Sequence, residues 1–229
     1  MIYPETKLPS VGETIFSTMS ALAAEKQAIN LSQGFPDYAG PQSLLEGVGR
    51  AIVSGNNQYA PLPGVPKLLQ QIQSKVKAYY GRELDVANEV TVTPGATEAI
   101  YSAITSVIRP GEEVILFDPA YDCYQPAIEI NGGVPVYITL LPPTFSVDWN
   151  AVASAITPKT RMIIINTPHN PTGSTLTHAD MEALATIVRD TNILIISDEV
   201  YEHLVFDDQP HQSVNLHPEL TKRAFIVSS

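Results

Sequence analysis

Cysteine occurs once in the 229 residues, at Cys123. An internal disulfide is therefore excluded, and a lone thiol suits a reducing compartment. Basic residues are scarce as well: thirteen lysines and arginines face twenty-four acidic residues, for a formal net charge of −11. So acidic a chain would be repelled by a polyanion, which argues against a nucleic acid or an anionic membrane surface as partner. Long apolar runs are missing too, the longest being a few residues against the ~20 needed to cross a bilayer. The opening M-I-Y-P-E-T-K has neither the basic nor the apolar stretch of a secretory signal. No internal repeat or low-complexity linker is visible. His169, His178, His203, His211 and His217 are dispersed without ligand spacing, so no metal site is expected. These absences leave a cytoplasmic soluble chain, 44% hydrophobic and 16% charged, long enough for one sizeable core.

What is present has a clear rhythm. Residues 1–40 read as an irregular arm with one short helix, in which Ile15, Phe16, Met19, Leu22 and Ala23 recur at helical spacing. From Pro41 two apolar stripes follow, Leu44 to Ile52 and Leu68 to Tyr79, ending at Gly55 and Gly81. Short β-rich runs then alternate with helical segments. The runs are 90–92, 114–117, 134–138, 162–165, 193–196 and 224–227, with helices expected near 100–107, 121–130 and 178–189. Continuous Ile, Val and Leu runs separated by helices mean strands covered on both faces. The fold class is therefore α/β, with a mostly parallel sheet.

In an open parallel sheet, ligands bind beyond the carboxyl ends of the strands. The segments following the runs are T-P-G-A-T-E-A, D-P-A-Y-D-C-Y, N-T-P-H-N-P-T-G, S-D-E-V-Y-E-H and Ser228-Ser229. Their polar and aromatic residues gather at one end of the sheet, which implies one site. Each also has a plainer reading. Gly95-Ala96-Thr97 could receive an anion at a helix N-terminus or be an ordinary turn. Tyr121 could be a platform for a flat ring or a core aromatic. Asn170 sits between two prolines, as a rigid turn would have it. Asp198 ends a buried strand, where it could cap the next segment or await a cationic partner. Tyr201 could belong to the core.

The ordered set Gly34-Phe35-Pro36, Gln58-Tyr59, Gly95-Ala96-Thr97, Asn166 to Gly173 and Ser197-Asp198-Glu199-Val200-Tyr201 resembles class I, fold-type I aminotransferases dependent on pyridoxal phosphate. Within them it is most similar to the methionine and kynurenine–glutamine aminotransferase branch. The resemblance covers the whole chain; N-P-T-G with S-D-E-V-Y is its strongest part. It implies a three-layer α/β sandwich, here incomplete, with residues 41–229 as the N-terminal portion of the cofactor-binding large domain. Residues 1–40 would be the N-terminal arm and part of the small domain. By similarity Asp198 would pair with the pyridine nitrogen, Tyr201 and Asn170 would bond the 3′ oxygen, and Tyr121 would stack on the ring. Ala96, Thr97 and Ser229 would hold the phosphate, and Tyr59 would reach the phosphate of a neighbouring subunit, implying a homodimer. Gly34 and Asn170 would line the substrate pocket, and Asn170–Pro171 matches a position often held cis.

One departure stands out. The family needs a lysine that forms the Schiff base, and the resemblance puts it three residues past the serine matching Ser229. Of the lysines present, Lys7 lies in the arm and Lys26 ends its helix, while Lys67, Lys75 and Lys77 read as part of a solvated helix. Lys159 and Lys222 precede strands, at the wrong end of the sheet. None is expected to reach the site. The arginine that clamps the substrate carboxylate belongs to the later small domain. The chain is thus expected to be the N-terminal part of a longer transaminase, inactive by itself and marginal in isolated folding. Two other readings remain: a carbon–sulfur β-lyase of the same fold, and the cofactor-binding domain of a transcription regulator, for which the acidic arm shows no basic helix-turn-helix.

Overall fold

The computed structural model describes residues 5–9, 11–34 and 36–229; Phe35 of the G-F-P motif lies outside them, as do residues 1–4 and Ser10. They divide into two compact units, residues 9–65 and residues 66–229 with residues 5–8. The change of rhythm at Pro41 falls inside the first unit. That unit carries helix α1 (Ile15–Glu25), opened by the Thr14 hydroxyl accepting from the Ser17 N–H, and helix α2 (Gln42–Val53). The apolar stripe of α2, Leu44, Leu45, Val48 and Ile52, is exposed.

The second unit begins with α3 (Pro66–Tyr80), which starts on a proline suited to a first helical turn and stops at Gly81. α4 (Ala96–Val107) starts after Gly95, whose φ of +95° few side chains tolerate. Five strands follow: β1 (Glu113–Asp118), β2 (Val134–Thr139), β3 (Thr160–Asn166), β4 (Leu194–Asp198) and β5 (Ala224–Val227). They form one sheet in the order β2-β1-β3-β4-β5, parallel throughout. Between the strands lie α5 (Tyr124–Ile130), α6 (Trp149–Ala155), α7 (His178–Val188) and α8 (Pro218–Thr221), the last preceded by a 3-10 turn at Val214–Leu216.

Period-two alternation divides the strand residues between two cores. Val114, Leu116, Met162, Ile164 and Ile196 pack with Ile100 and Ile104 of α4 and Ile128 of α5. Ile115, Phe117, Ile163, Ile165 and Ile195 face the other way, onto Val152 of α6, Met181 and Leu184 of α7, and Leu220 of α8. The result is the expected three-layer α/β sandwich. Each fully buried Ile or Leu contributes roughly 1.5–3 kcal/mol, so the sheet's central strands anchor the unit. Gly133 marks its tightest packing, since a Cβ there would stand 2.7 Å from Ile108 and 2.9 Å from Ile128.

One expectation needs correction, and one helix is unexpected. Val90-Thr91-Val92 forms no strand: among the described residues nothing pairs with it, and β propensity without a ladder partner makes no sheet. The short helix α6 is not anticipated, although Asp148 announces it by accepting from the N–H groups of Asn150 and Ala151.

Candidate active site

The strand order reverses between β1 and β3, because the chain first moves outward to β2 and then returns. Such a switch point leaves a crevice beyond the carboxyl ends of the two strands. The segments leaving β1, β3 and β4 all converge there.

Asp198 is the last residue of β4, in register with Asn166 of β3 and Val227 of β5. It is 5% exposed. Its Oδ2 accepts from the Tyr124 hydroxyl at 2.5 Å, and its Oδ1 accepts from the Val200 N–H at 3.2 Å. Burial pushes its carboxyl pKa up, and the two hydrogen bonds only partly offset that. Among the described residues no cation lies within salt-bridge range of it. A buried carboxylate without a counter-charge is unfavourable, so the position invites a cationic or N–H-bearing guest.

Asn166 holds two loops to this point. Its Nδ2 donates to the Asp198 carbonyl at 2.9 Å, and its Oδ1 accepts from the Asn170 N–H at 2.8 Å. The Asn170–Pro171 peptide is cis. Asn170 Nδ2 then stands 3.5 Å from the Tyr201 hydroxyl, a long contact. Tyr121, half-buried at the exit of β1, meets Tyr124 edge-on with ring centroids 5.8 Å apart. The Tyr121 side chain lies near that of Tyr201, and the Thr97 hydroxyl lies near Tyr121 and Cys123. Thr97, Tyr121, Asn170, Asp198 and Tyr201 therefore share one neighbourhood with the N-terminal turn of α4. Ala96 opens that helix and packs into the core beneath it. Tyr121 also borders a cavity of about 460 Å³ with Asp118, Ala120, Asp122, Gln125 and Tyr137. The Cys123 thiol is pushed up to about 12 by burial, which removes it as a nucleophile at neutral pH.

Gly34 and Tyr59 belong to the 9–65 unit, where Gly34 has open space around it and Tyr59 is fully exposed. Ser229, after β5, is exposed. Its neighbour Ser228 joins a network the sequence does not announce. The buried Glu202 carboxylate accepts from Ser228 Oγ, from the Tyr80 hydroxyl and from Lys75 Nζ, and Lys75 also donates to Ser228 at 3.2 Å. Burial pushes Glu202 up, but Lys75, Ser228 and Tyr80 together hold its pKa below the usual range. The reading of Lys75 as merely solvated is thus corrected: it is the counter-charge of a buried acid next to Tyr201. Lys159 and Lys222 do enter β3 and β5 from the amino end.

Tyr124, Asn166 and Glu202 were not singled out from sequence. Tyr124 carried a usable signal: a tyrosine buried against a helix start must find its hydroxyl a partner. The histidines also differ from expectation, for His178 and His217 come together beside Glu182. Among the described residues no helix is long and apolar enough to cross a membrane.

A family model described as aminotransferase class I and II matches residues 26–229. A methionine aminotransferase of Escherichia coli is 50% identical over 228 residues, covering 100% of this chain and 59% of its own. A kynurenine–oxoglutarate transaminase of Dictyostelium discoideum is 33% identical over 244 residues, covering 99% and 56%. An Escherichia coli crystal structure, described as identifying a methionine aminotransferase function, superposes with a TM-score of 0.95 at 49% identity, covering 100% and 60%. The chain therefore spans less than two thirds of the length of each relative.

Proposed function

Because the chain belongs to the class I and II aminotransferases, we propose that it holds pyridoxal 5′-phosphate at the switch point and forms part of an enzyme moving an amino group from an amino acid to a 2-oxo acid. One observation carries this reading: Asp198 is a buried carboxylate at the carboxyl rim of the sheet with no cation among the described residues to neutralise it. A protonated pyridine nitrogen supplies the missing charge. The residues present fit the group.

In this reading Asp198 holds the proton at the ring nitrogen, and Tyr124 and Val200 fix the carboxylate's orientation. When bound, the cofactor supplies an electron sink for the pair released at the amino acid's α-carbon. Tyr201 and Asn170 would bond the 3′ oxygen, with Asn166 setting the position of Asn170. Tyr121 would cover one ring face. Ala96 and Thr97 would offer the phosphate the free N–H groups and positive dipole end of α4, and Ser229 would add a hydroxyl. This local field matters in a chain of net charge −11, whose overall potential opposes an anionic ligand.

Gly34 would leave room for the substrate side chain. Tyr59 would reach the phosphate of a second subunit in a homodimer, a reading supported by the full exposure of Tyr59 and the roughly half-exposed apolar stripe of α2. The Schiff base would need a lysine, which the resemblance puts three residues past Ser229. An uncharged donor such as methionine is favoured by the relative at 50% identity. A reducing, cytoplasmic setting fits the single cysteine.

The test is a fluorescence titration of pyridoxal phosphate into the chain and its Asp198→Asn variant. Saturable binding by the first and loss of most affinity by the second are expected; equal binding by both would remove Asp198 from the site. For the activity, the full-length protein given methionine and a 2-oxo acid should yield the corresponding oxo acid and amino acid. Failure across uncharged donors would reject the assignment.

A further inference from the structure

The fold gathers histidines that sequence spacing leaves apart. His178 and Glu182 lie one turn apart on α7 and so share a face. His217 stands just before α8, on which it is the N-terminal flanking residue. Glu182 Oε1 is 3.7 Å from His217 Nδ1 and 4.0 Å from His178 Nε2. One ligand atom from each residue lies within 4.8 Å of the other two. The two imidazoles lean together, with centroids 5.2 Å apart and planes 30° from parallel.

These separations exceed hydrogen-bond length. They approach the spacing of donors around a tetrahedral ion, which for bonds of about 2.0–2.2 Å is roughly 3.3–3.6 Å. His217 adds an independent observation. It is 5% exposed, and Nδ1, the ring nitrogen that faces Glu182 at 3.7 Å, makes no hydrogen bond among the described residues. Buried imidazoles normally satisfy their nitrogens, so the unfilled capacity of this one calls for a partner.

We propose that His178, Glu182 and His217 bind a divalent cation of the zinc class, with a water completing the tetrahedron. Two imidazoles and one carboxylate suit zinc, whereas calcium and magnesium prefer oxygen shells. The exposed side chains of His178 and Glu182 give the ion a path from solvent. Because α8 leads directly into β5, the ion ties α7 to the segment that delivers the last strand. The site shares no residue with the candidate active site, and its test does not depend on the cofactor.

Isothermal titration of zinc chloride into the tag-free, chelator-treated chain at pH 7.5 should give one ion per chain with micromolar affinity. His178→Ala, at an exposed position, should weaken binding by about tenfold or more. His217→Ala should do the same with its circular dichroism spectrum retained. Saturating zinc should raise the melting temperature of the unsubstituted chain and leave that of His178→Ala unmoved. Magnesium chloride should produce neither effect. No zinc isotherm, or one that His178→Ala and Glu182→Gln leave unchanged, overturns the proposal.

Discussion

Asp198 and Glu202 are two buried carboxylates four residues apart on one rim of the sheet, yet their surroundings differ in kind. Glu202 is answered by its own chain, through Lys75, Tyr80 and Ser228, and its pKa is held down. Asp198 has a hydroxyl and one main-chain N–H, no cation among the described residues, and a pKa pushed up by burial. A structural acid is neutralised within the fold. An acid kept for a ligand is oriented but left uncompensated until the ligand arrives. The contrast separates two roles that burial alone does not distinguish.

The largest expected effect tests that separation directly. Asp198→Asn should weaken pyridoxal phosphate binding by on the order of 30- to 1,000-fold, as removal of one partner of a buried charge pair does. Glu202→Gln should change it by less than about tenfold, so similar losses in equilibrium dialysis would erase the distinction. Next comes stability. Glu202→Gln strands Lys75 and removes an acceptor from two hydroxyls, so urea unfolding should show a loss of about 2 kcal/mol.

Asp198→Asn should act in the opposite direction on the cofactor-free chain. A carboxyl whose folded pKa is raised stabilises fully below its unfolded pKa, and that contribution is lost as pH rises through the folded value. At neutral pH the buried charge is thus a burden. The variant should gain on the order of 1 kcal/mol, seen as a melting temperature higher by about 2–4 °C. Glu202 has the reverse sign. Its lowered pKa gives a contribution present above the ordinary carboxylate pKa and lost as pH falls through the folded value. The melting difference between the unsubstituted chain and Glu202→Gln should therefore shrink on acidification. The smallest effect belongs to Tyr124→Phe. It removes one hydrogen bond from Asp198 and should lower cofactor affinity by only a few-fold.

Much of the architecture is legible in the sequence. The unbroken runs at β3 and β4 are buried on both faces, and burial of that kind leaves an unmistakable pattern. Asp198 was legible because a carboxylate at the end of such a run needs a reason. Other features depend on partners remote in sequence. Tyr124 meets Asp198 across 74 residues and Lys75 meets Glu202 across 127, distances no local pattern spans. His178 and His217 are joined only by the way α7 and the approach to β5 pack. The run at 90–92 failed for the same reason in reverse, since its composition suits a strand while pairing decides whether one forms.

The central claim is that Asp198 carries a charge reserved for a protonated heterocycle. Carboxyl carbon NMR of the chain labelled at aspartate, with Asp198 assigned from the Asp198→Asn spectrum, measures this charge with and without pyridoxal phosphate. The account predicts a carboxyl titrating above the ordinary aspartate range when free and well below it when the cofactor is bound. A titration already low in the free chain, or one unmoved by saturating cofactor, would contradict it.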